Sequence, residues 1–219
     1  MAFEGGECRQ LIGGAVGALE LVATAPNDSG VLFEGGYVAV VCHPHPLHGG
    51  TMDNKVVSTL VRCYRNLGVP VVRFNFRGVG ASEGAHDHAV GEVDDLLEVV
   101  EWAQEHYPEA KVLLAGFSFG SSVAAQASHF IGVDLAHLVL VAPPVERYPY
   151  DRSGLFSAPV VVVVAEQDEL VDVAGLLSWA GELGGTVSVL RYEKASHFFH
   201  GFLADMKRDL SDRLRRDLL

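Results

Sequence analysis

The chain has 219 residues, of which 49% are hydrophobic and 20% are charged, and its formal net charge at pH 7 is −12. A chain of this length buries roughly 70% of its unfolded surface without a disulfide or a metal as a staple, and its composition is that of a globular protein. An acidic surface repels phosphate backbones and anionic lipid, so we expect no nucleic-acid partner and no membrane partner.

The cysteines and the start of the chain favour a reduced compartment. The three cysteines are widely spaced and form no Cys-x-x-Cys pair, which argues against a zinc knuckle or a redox motif. Residues 1–7 are acidic and lack the basic and apolar regions of a secretory signal. The apolar run at 159–165 is far shorter than the roughly 18 residues of a membrane span. We therefore expect a cytoplasmic protein.

Short β-rich apolar runs alternate with amphipathic stretches along the chain. Residues 8–12 and 17–24, separated by Gly13-Gly14, predict a β-hairpin. Further strands are expected at 37–42, 71–76, 111–115, 137–141, 159–165 and 186–191, and helices at 52–67, 88–106, 119–130, 172–183 and 200–216. This alternation predicts an α/β fold: a mostly parallel sheet with helices on both faces and an antiparallel N-terminal hairpin. No Pro/Ser-rich linker interrupts the pattern, so we expect one domain over residues 1–219.

One motif, Gly116-Phe117-Ser118-Phe119-Gly120, matches the G-x-S-x-G pattern of a nucleophile elbow. The elbow places a serine on a sharp strand-to-helix turn, and its glycines remove the Cβ atoms that would collide there. A glycine-rich turn with an incidental serine is the alternative. The apolar run at 112–115 and the small residues at 121–125 supply the flanking strand and helix, so we predict that Ser118 is a nucleophile.

A nucleophilic serine needs a base, and the base needs an orienting carboxylate, in the chain order Ser, Asp or Glu, His. Asp168 follows the valine-rich run, where the carboxyl end of a strand would leave it at the ligand-binding edge of the sheet. Glu166 and Glu169 are its competitors, which we expect to be solvated loop acids. His197 enters the loop after the last predicted strand and is the expected base, whereas His200 is expected on a helix face.

These residues lie in segments that together match a known family. The matching segments are 42–55, 74–84, the elbow, Gln167-Asp168 and Ser196-His197. They resemble the serine α/β-hydrolase family over nearly the whole chain, and most closely its small, lid-poor members whose loop after the third strand reads His-Pro-His-Pro. The resemblance implies the α/β-hydrolase fold without a cap domain, with Ser118 as nucleophile, His197 as base and Asp168 as its orienting acid.

The loop after the third strand departs from the wider family, because His43-Pro44 stands where His-Gly is usual. This affects the oxyanion hole. One donor is expected to be the backbone N–H of Phe119, the residue after the nucleophile. The second comes from this loop, where proline has no N–H to give, so His45 is the leading donor by position and Leu47 is the alternative.

The histidines also allow a metal interpretation. His43, His45 and His48, or the run at 86–88, supply the imidazoles that transition metals favour. Their spacings match no closed zinc pattern, and the family resemblance accounts for the first loop. No G-x-G-x-x-G or G-K-[ST] motif is present. We therefore expect neither a metal nor another cofactor.

The expected function is a serine hydrolase, a carboxylesterase that cleaves soluble short-acyl esters through an acyl-serine intermediate. A thioesterase, amidase or peptidase with the same triad is the alternative among enzymes, and a catalytically silent binding module is the alternative of another class. Residues 142–159 are too few for a multi-helix cap, and we expect them to line a shallow acyl pocket through Val145, Tyr148, Tyr150 and Phe156. The substrate is expected to be a small-molecule ester, and the protein a monomer or small homo-oligomer.

Overall fold

An eight-stranded sheet forms the centre of the molecule in the computed structural model, which describes residues 6–150 and 156–219. The spatial order of the strands is β1-β2-β4-β3-β5-β6-β7-β8. Neighbours are parallel except for the pairs β1–β2 and β2–β4. The strands are β1 (Glu7–Gly14), β2 (Gly17–Thr24), β3 (Tyr37–Cys42), β4 (Val71–Phe74), β5 (Lys111–Phe117), β6 (Leu135–Val141), β7 (Val160–Ala165) and β8 (Val187–Tyr192).

Five helices cover the two faces of this sheet among the described residues. They are α1 (Lys55–Leu67), α2 (Gly91–His106), α3 (Phe119–Ile131), α4 (Val173–Glu182) and α5 (Leu203–Leu218). One core cluster joins the sheet to α2, α3 and α4, and the other joins it to α1 and α5. Because both faces are covered, the central strands are mostly apolar, as in β7 with its five valines. The predicted α/β-hydrolase architecture is confirmed.

The N-terminal hairpin is confirmed with a shifted turn. Gly13 and Gly14 belong to β1, and Gly14 pairs with Gly17 across the two-residue connection. Gly17 has a φ of 141°, which favours glycine. The strand β2 then continues the sheet antiparallel to β4, so the hairpin forms one edge of the sheet.

Three helices begin later than their apolar periodicity indicates. The helix α1 begins at Lys55 because the Asn54 side chain accepts the Val56 N–H at 2.8 Å and caps it. The helix α2 begins at Gly91, because His88 and Ala89 have positive φ angles. The helix α5 begins at Leu203 rather than 200, since the turn before it contains a further positive φ.

The connection between β6 and β7 contains no helix in its described parts, 142–150 and 156–159. Residues 151–155 lie outside the described part of the chain. Tyr150 is buried, and its hydroxyl lies 2.7 Å from that of Ser121 in α3. The connection is therefore packed onto the body of the fold. Of the helices in the described ranges, none combines the length and apolar character needed to cross a membrane.

Candidate active site

The residues that sequence reasoning selected meet at the carboxyl edge of the parallel strands. Ser118 follows β5, Asp168 follows β7 and His197 lies in the loop after β8. In open α/β sheets this edge is where ligands bind, because the loops there are free to vary while the strands stay fixed.

Ser118 occupies a strained turn between β5 and α3. Its φ is 53° and its ψ is −122°, a conformation that non-glycine residues rarely adopt and that costs roughly 1–3 kcal/mol. A Cβ on Gly116 would collide with the backbone of Gly120, and one on Gly120 with the backbone of His43. The two glycines of the motif are thus required by close backbone approach, and the turn is held by the Ser118 N–H donating to the Val141 carbonyl at 2.8 Å.

A chain of hydrogen bonds joins the three predicted residues. His197 Nε2 lies 3.0 Å from Ser118 Oγ, and His197 Nδ1 lies 2.7 Å from Asp168 Oδ2. Both the imidazole and the carboxylate are nearly buried, with side-chain exposures of 3% and 2%. The other oxygen, Oδ1, accepts the backbone N–H groups of Leu170 at 2.8 Å and Val171 at 3.0 Å. Asp168 is therefore fixed by its own loop while it faces the imidazole.

The competing residues have other partners. Glu166 pairs with Arg191 at 2.6 Å. Glu169 accepts the backbone N–H of His197 at 3.2 Å, so it supports the loop rather than the imidazole ring. His200 is exposed in the turn before α5, not on the helix face that its position suggested.

His43 clamps the loop after β3 to the loop after β4. Its Nε2 accepts the Phe76 N–H at 3.1 Å, which leaves Nδ1 to donate to the Pro44 carbonyl at 2.6 Å. Only a neutral ring makes both bonds. Burial lowers the pKa of His43 to about 4, which keeps this ring neutral at physiological pH.

The backbone N–H of Leu47 is already engaged within the same loop. It donates to Nδ1 of His45 at 3.2 Å. The His45 ring is therefore an acceptor at Nδ1, in keeping with its pKa, which burial and neighbouring imidazoles lower to about 4. Because the Leu47 N–H donates to the His45 ring, the backbone N–H of His45 is the better candidate for the second donor of the oxyanion hole.

Four imidazoles cluster beside the site, and two of them, His45 and His48, line its pocket. The rings of His45 and His48 stack at 4.4 Å, and those of His45 and His86 lie 4.9 Å apart, as do those of His86 and His88. His86 donates from Nδ1 to buried Glu92 at 2.7 Å. Within 6–150 and 156–219, no three His, Cys, Asp or Glu side chains converge in an arrangement that could hold a metal ion.

Glu92 is a residue of this region that sequence reasoning missed. Besides His86, its carboxylate accepts the backbone N–H groups of Asp87 and Ala89, each at 2.9 Å. It thereby straps the loop before α2 against the candidate oxyanion loop, since the His86 ring lies 4.9 Å from that of His45. The sequence shows Glu92 only as an acidic residue in the first turn of an amphipathic helix. Such a residue is ordinarily explained by its favourable interaction with the helix dipole, so its contacts with the preceding loop were not predicted.

A small pocket of about 50 Å³ opens beside the serine hydroxyl. It is lined by His45, His48, Ser118, Phe119, Pro144, Arg147, Tyr148, Leu170, Val171 and His197. Of the four residues expected to line it, only Tyr148 does so; Val145 and Tyr150 are buried in the core, and Phe156 packs on His129. A larger groove of about 440 Å³ lies at the opposite edge of the sheet, where it is lined by residues such as Pro70 and Ala110 and not by the serine.

Comparisons with known proteins identify the family of the chain. A family model described as the alpha/beta hydrolase fold matches residues 47–151. The chain is 39% identical to an alpha-beta serine hydrolase homologue from Coxiella burnetii, covering 98% of both chains with a TM-score of 0.88. It is 35% identical to an α/β serine hydrolase without a lid from Xanthomonas campestris, covering 99% of this chain and 97% of that one with a TM-score of 0.90.

A curated relative, an uncharacterised protein from Rickettsia prowazekii, is 32% identical over 201 residues, which are 88% of this chain and 81% of that protein. Such identity over most of both chains indicates common descent. The described parts of the connection between β6 and β7 contain no helix. This chain therefore belongs to the α/β-hydrolase family and is a homologue of its serine hydrolases.

Proposed function

We propose that the protein is a carboxylesterase in which Ser118, His197 and Asp168 form the catalytic triad. The observation that carries the proposal is the continuous chain of hydrogen bonds from the serine hydroxyl through the imidazole to a buried carboxylate. A serine on an exposed elbow is a weak nucleophile until a base takes its proton, and His197 lies within hydrogen-bond reach to do so.

In this mechanism Ser118 Oγ attacks the ester carbonyl while His197 Nε2 accepts its proton. Asp168 holds the proton of the imidazole on Nδ1, so that Nε2 carries the free lone pair, and it stabilises the imidazolium that forms. The imidazolium then protonates the departing alcohol oxygen. Water, deprotonated by the same imidazole, cleaves the acyl-serine and restores the free enzyme.

The oxyanion of each tetrahedral intermediate is proposed to lie between two backbone N–H groups. One is that of Phe119 at the N-terminus of α3, where the helix dipole favours negative charge. The other is that of His45, because Leu47 donates its N–H to the His45 ring. The clamp made by His43 supports the loop that carries this second donor, which is how a His-Pro-His-Pro loop can serve without the usual glycine.

The wider setting follows from charge and chemistry. The mechanism uses no metal or other cofactor, and its substrate is a small soluble ester. The net charge of −12 disfavours nucleic acid and anionic membranes as partners. Free cysteines, of which two are buried, suit a reduced cytoplasmic setting, and we retain the expectation of a monomer or small homo-oligomer.

The test is labelling with a fluorophosphonate, which reacts with activated serines only. We expect the wild type and Ser178→Ala, which removes an exposed serine of α4, to be labelled, and Ser118→Ala to stay unlabelled while remaining folded. A folded wild type that resists the probe would leave a silent binding module as the better interpretation. Thioester, amide and peptide substrates assayed beside esters would decide whether an esterase or one of the other acyl hydrolases is the better description.

A further inference from the structure

Three of the loops that form the site each present a large apolar side chain to solvent. Leu47 is 69% exposed, Leu170 is 43% exposed and Phe198 is 37% exposed. Leu47 belongs to the loop of the candidate oxyanion donor, Leu170 to the loop of Asp168, and Phe198 follows His197 directly. We call these three side chains the apolar rim. Leu170 lines the pocket itself, and Leu47 and Phe198 are each adjacent in sequence to a histidine that lines it. Exposed apolar groups beside a cleft mark a binding surface more often than do single ones scattered over a protein.

The pocket inside the rim is small. It measures about 50 Å³ beside Ser118, against about 440 Å³ for the groove at the opposite edge of the sheet, and so suits a small acyl group such as acetyl or propionyl. It is far too little for a second bulky group, which would have to lie outside.

The pocket wall is built from packed aromatic rings. The Phe119 ring contacts those of His45 at 5.1 Å, Tyr148 at 5.4 Å and Phe76 at 5.7 Å. A larger acyl group would have to displace several of these contacts together, and well-packed interiors resist this.

The positions of the reacting atoms decide which half of the ester enters the pocket. The carbonyl oxygen is held by the N–H of Phe119 and the leaving oxygen faces His197, so the acyl group takes the remaining direction, into the pocket whose lining includes Phe119. The leaving oxygen must receive its proton from His197 Nε2, and the His197 ring lies 5.1 Å from that of Phe198 on the rim. The alcohol half therefore extends towards the rim.

We propose, on the basis of the esterase function above, that the substrates are esters of a two- or three-carbon acid with a large apolar alcohol. The small acyl group fills the enclosed pocket, and the alcohol lies against the apolar rim. Binding of the alcohol removes apolar surface of both partners from water, and this supplies the preference.

The isomeric esters benzyl acetate and methyl phenylacetate test this directly. They contain the same atoms, and their alcohols are of similar acidity, but the ring lies on the alcohol in one and on the acid in the other. We expect kcat/KM for benzyl acetate to be about ten-fold or more above that for methyl phenylacetate, a range typical of apolar-pocket discrimination.

Rim variants locate the preference on the structure. We expect Phe198→Ala and Leu47→Ala to reduce kcat/KM for benzyl acetate several-fold more than for methyl acetate, mainly through KM. The matched control is Val133→Ala, since Val133 is 88% exposed in the turn between α3 and β6. It should leave both substrates unaffected.

The outcomes separate this inference from the esterase proposal. Equal rates on the two isomers, or a preference for methyl phenylacetate, would overturn the small-acyl, large-alcohol assignment and leave the esterase intact. Failure to cleave either isomer, with Ser118 still labelled by the phosphonate, would also overturn the assignment. Failure of both cleavage and labelling would remove the esterase proposal itself.

Discussion

Two adjacent carboxylates near His197 have different partners, although the sequence presents them as equals. Asp168 reaches the imidazole Nδ1 at 2.7 Å, whereas Glu169 accepts a backbone N–H at 3.2 Å. The choice of Asp168 rested on its position after a strand end. The support from Glu169 was not predictable, because it depends on how two loops from β7 and β8 approach each other.

We predict that Asp168→Asn lowers kcat by up to about 10⁴-fold, because an amide no longer holds the productive imidazole tautomer. Glu169→Gln should stay within a few-fold of the wild type, since an amide oxygen still accepts the His197 N–H. Steady-state kinetics on a soluble acetate ester measures both. A fully active Asp168→Asn together with an inactive Glu166→Gln would show that Asp168 is not the orienting acid.

His43 couples the stability of the fold to pH. Its pKa falls from 6.5 to about 4 on folding because of burial, so the unfolded chain binds a proton before the native protein does. Stability is therefore full above pH 6.5 and falls as the pH drops from 6.5 towards 4. From pH 7.5 to pH 5.5 this one group should cost about 1 kcal/mol.

Urea unfolding at the two pH values measures this loss for the wild type and for His43→Asn. Asparagine keeps a donor and an acceptor but has no proton to titrate, so its pH dependence should be shallower by about 1 kcal/mol. The remaining slope has the same sign, since burial also lowers the pKa of His45 to about 4. Identical slopes in the two proteins would show that His43 does not titrate as described.

At the scale of elements, the sequence predicted where strands and helices lie better than where helices begin. The apolar periodicity extends upstream of Gly91, where α2 begins, because the preceding loop also buries Ala89. The positive φ of Ala89, 68°, breaks the helix there, and nothing in the local sequence indicates it. The loop is held in that conformation by Glu92, a contact that only the folded structure brings about.

Loss of the Glu92 carboxylate should weaken the hydrogen bonds that hold the loop before α2. We expect Glu92→Gln to destabilise the protein by about 1–3 kcal/mol, because three donors then compete for a weaker acceptor in a buried site. Glu101→Gln, on the exposed side of α2, should change the unfolding free energy by less than about 0.5 kcal/mol. Urea unfolding of the two variants makes the comparison. Equal stabilities would show that the strap contributes nothing to the fold.

At the scale of the whole molecule, the alternation of strands and helices predicted the parallel sheet, and chain order with strand ends selected three residues that lie close together in the structure. They lie together because the carboxyl ends of parallel strands share one edge, which brings residues as distant as Ser118 and His197 into contact. The spatial order β2-β4-β3 and the size of the pocket were not predictable. The strand order depends on crossover geometry. The pocket size depends on how the ring of Tyr148, which the sequence placed in the pocket lining, packs against that of Phe119.

The absence of a cap in the described connection after β6 bears on how the enzyme meets its substrate. The described parts of this connection, 142–150 and 156–159, contain no helix whose opening a lipid surface could trigger. The net charge of −12 adds repulsion from anionic lipid. The pocket beside Ser118 is small, about 50 Å³, which suits the short acyl group of the proposed substrates.

We therefore predict that activity on p-nitrophenyl esters falls steadily from acetate to palmitate and shows no jump when the ester aggregates. The alcohol is constant in this series, so the acyl group alone is varied. Rates should be measured below and above the critical concentration of each ester, with Ser118→Ala as the blank. A preference for palmitate with a rate increase at aggregation would contradict the lidless short-acyl esterase and favour a lipase. Such a result would also require the wall formed by Phe119 and Tyr148 to open, which a Tyr148→Ala variant with improved long-chain activity would reveal.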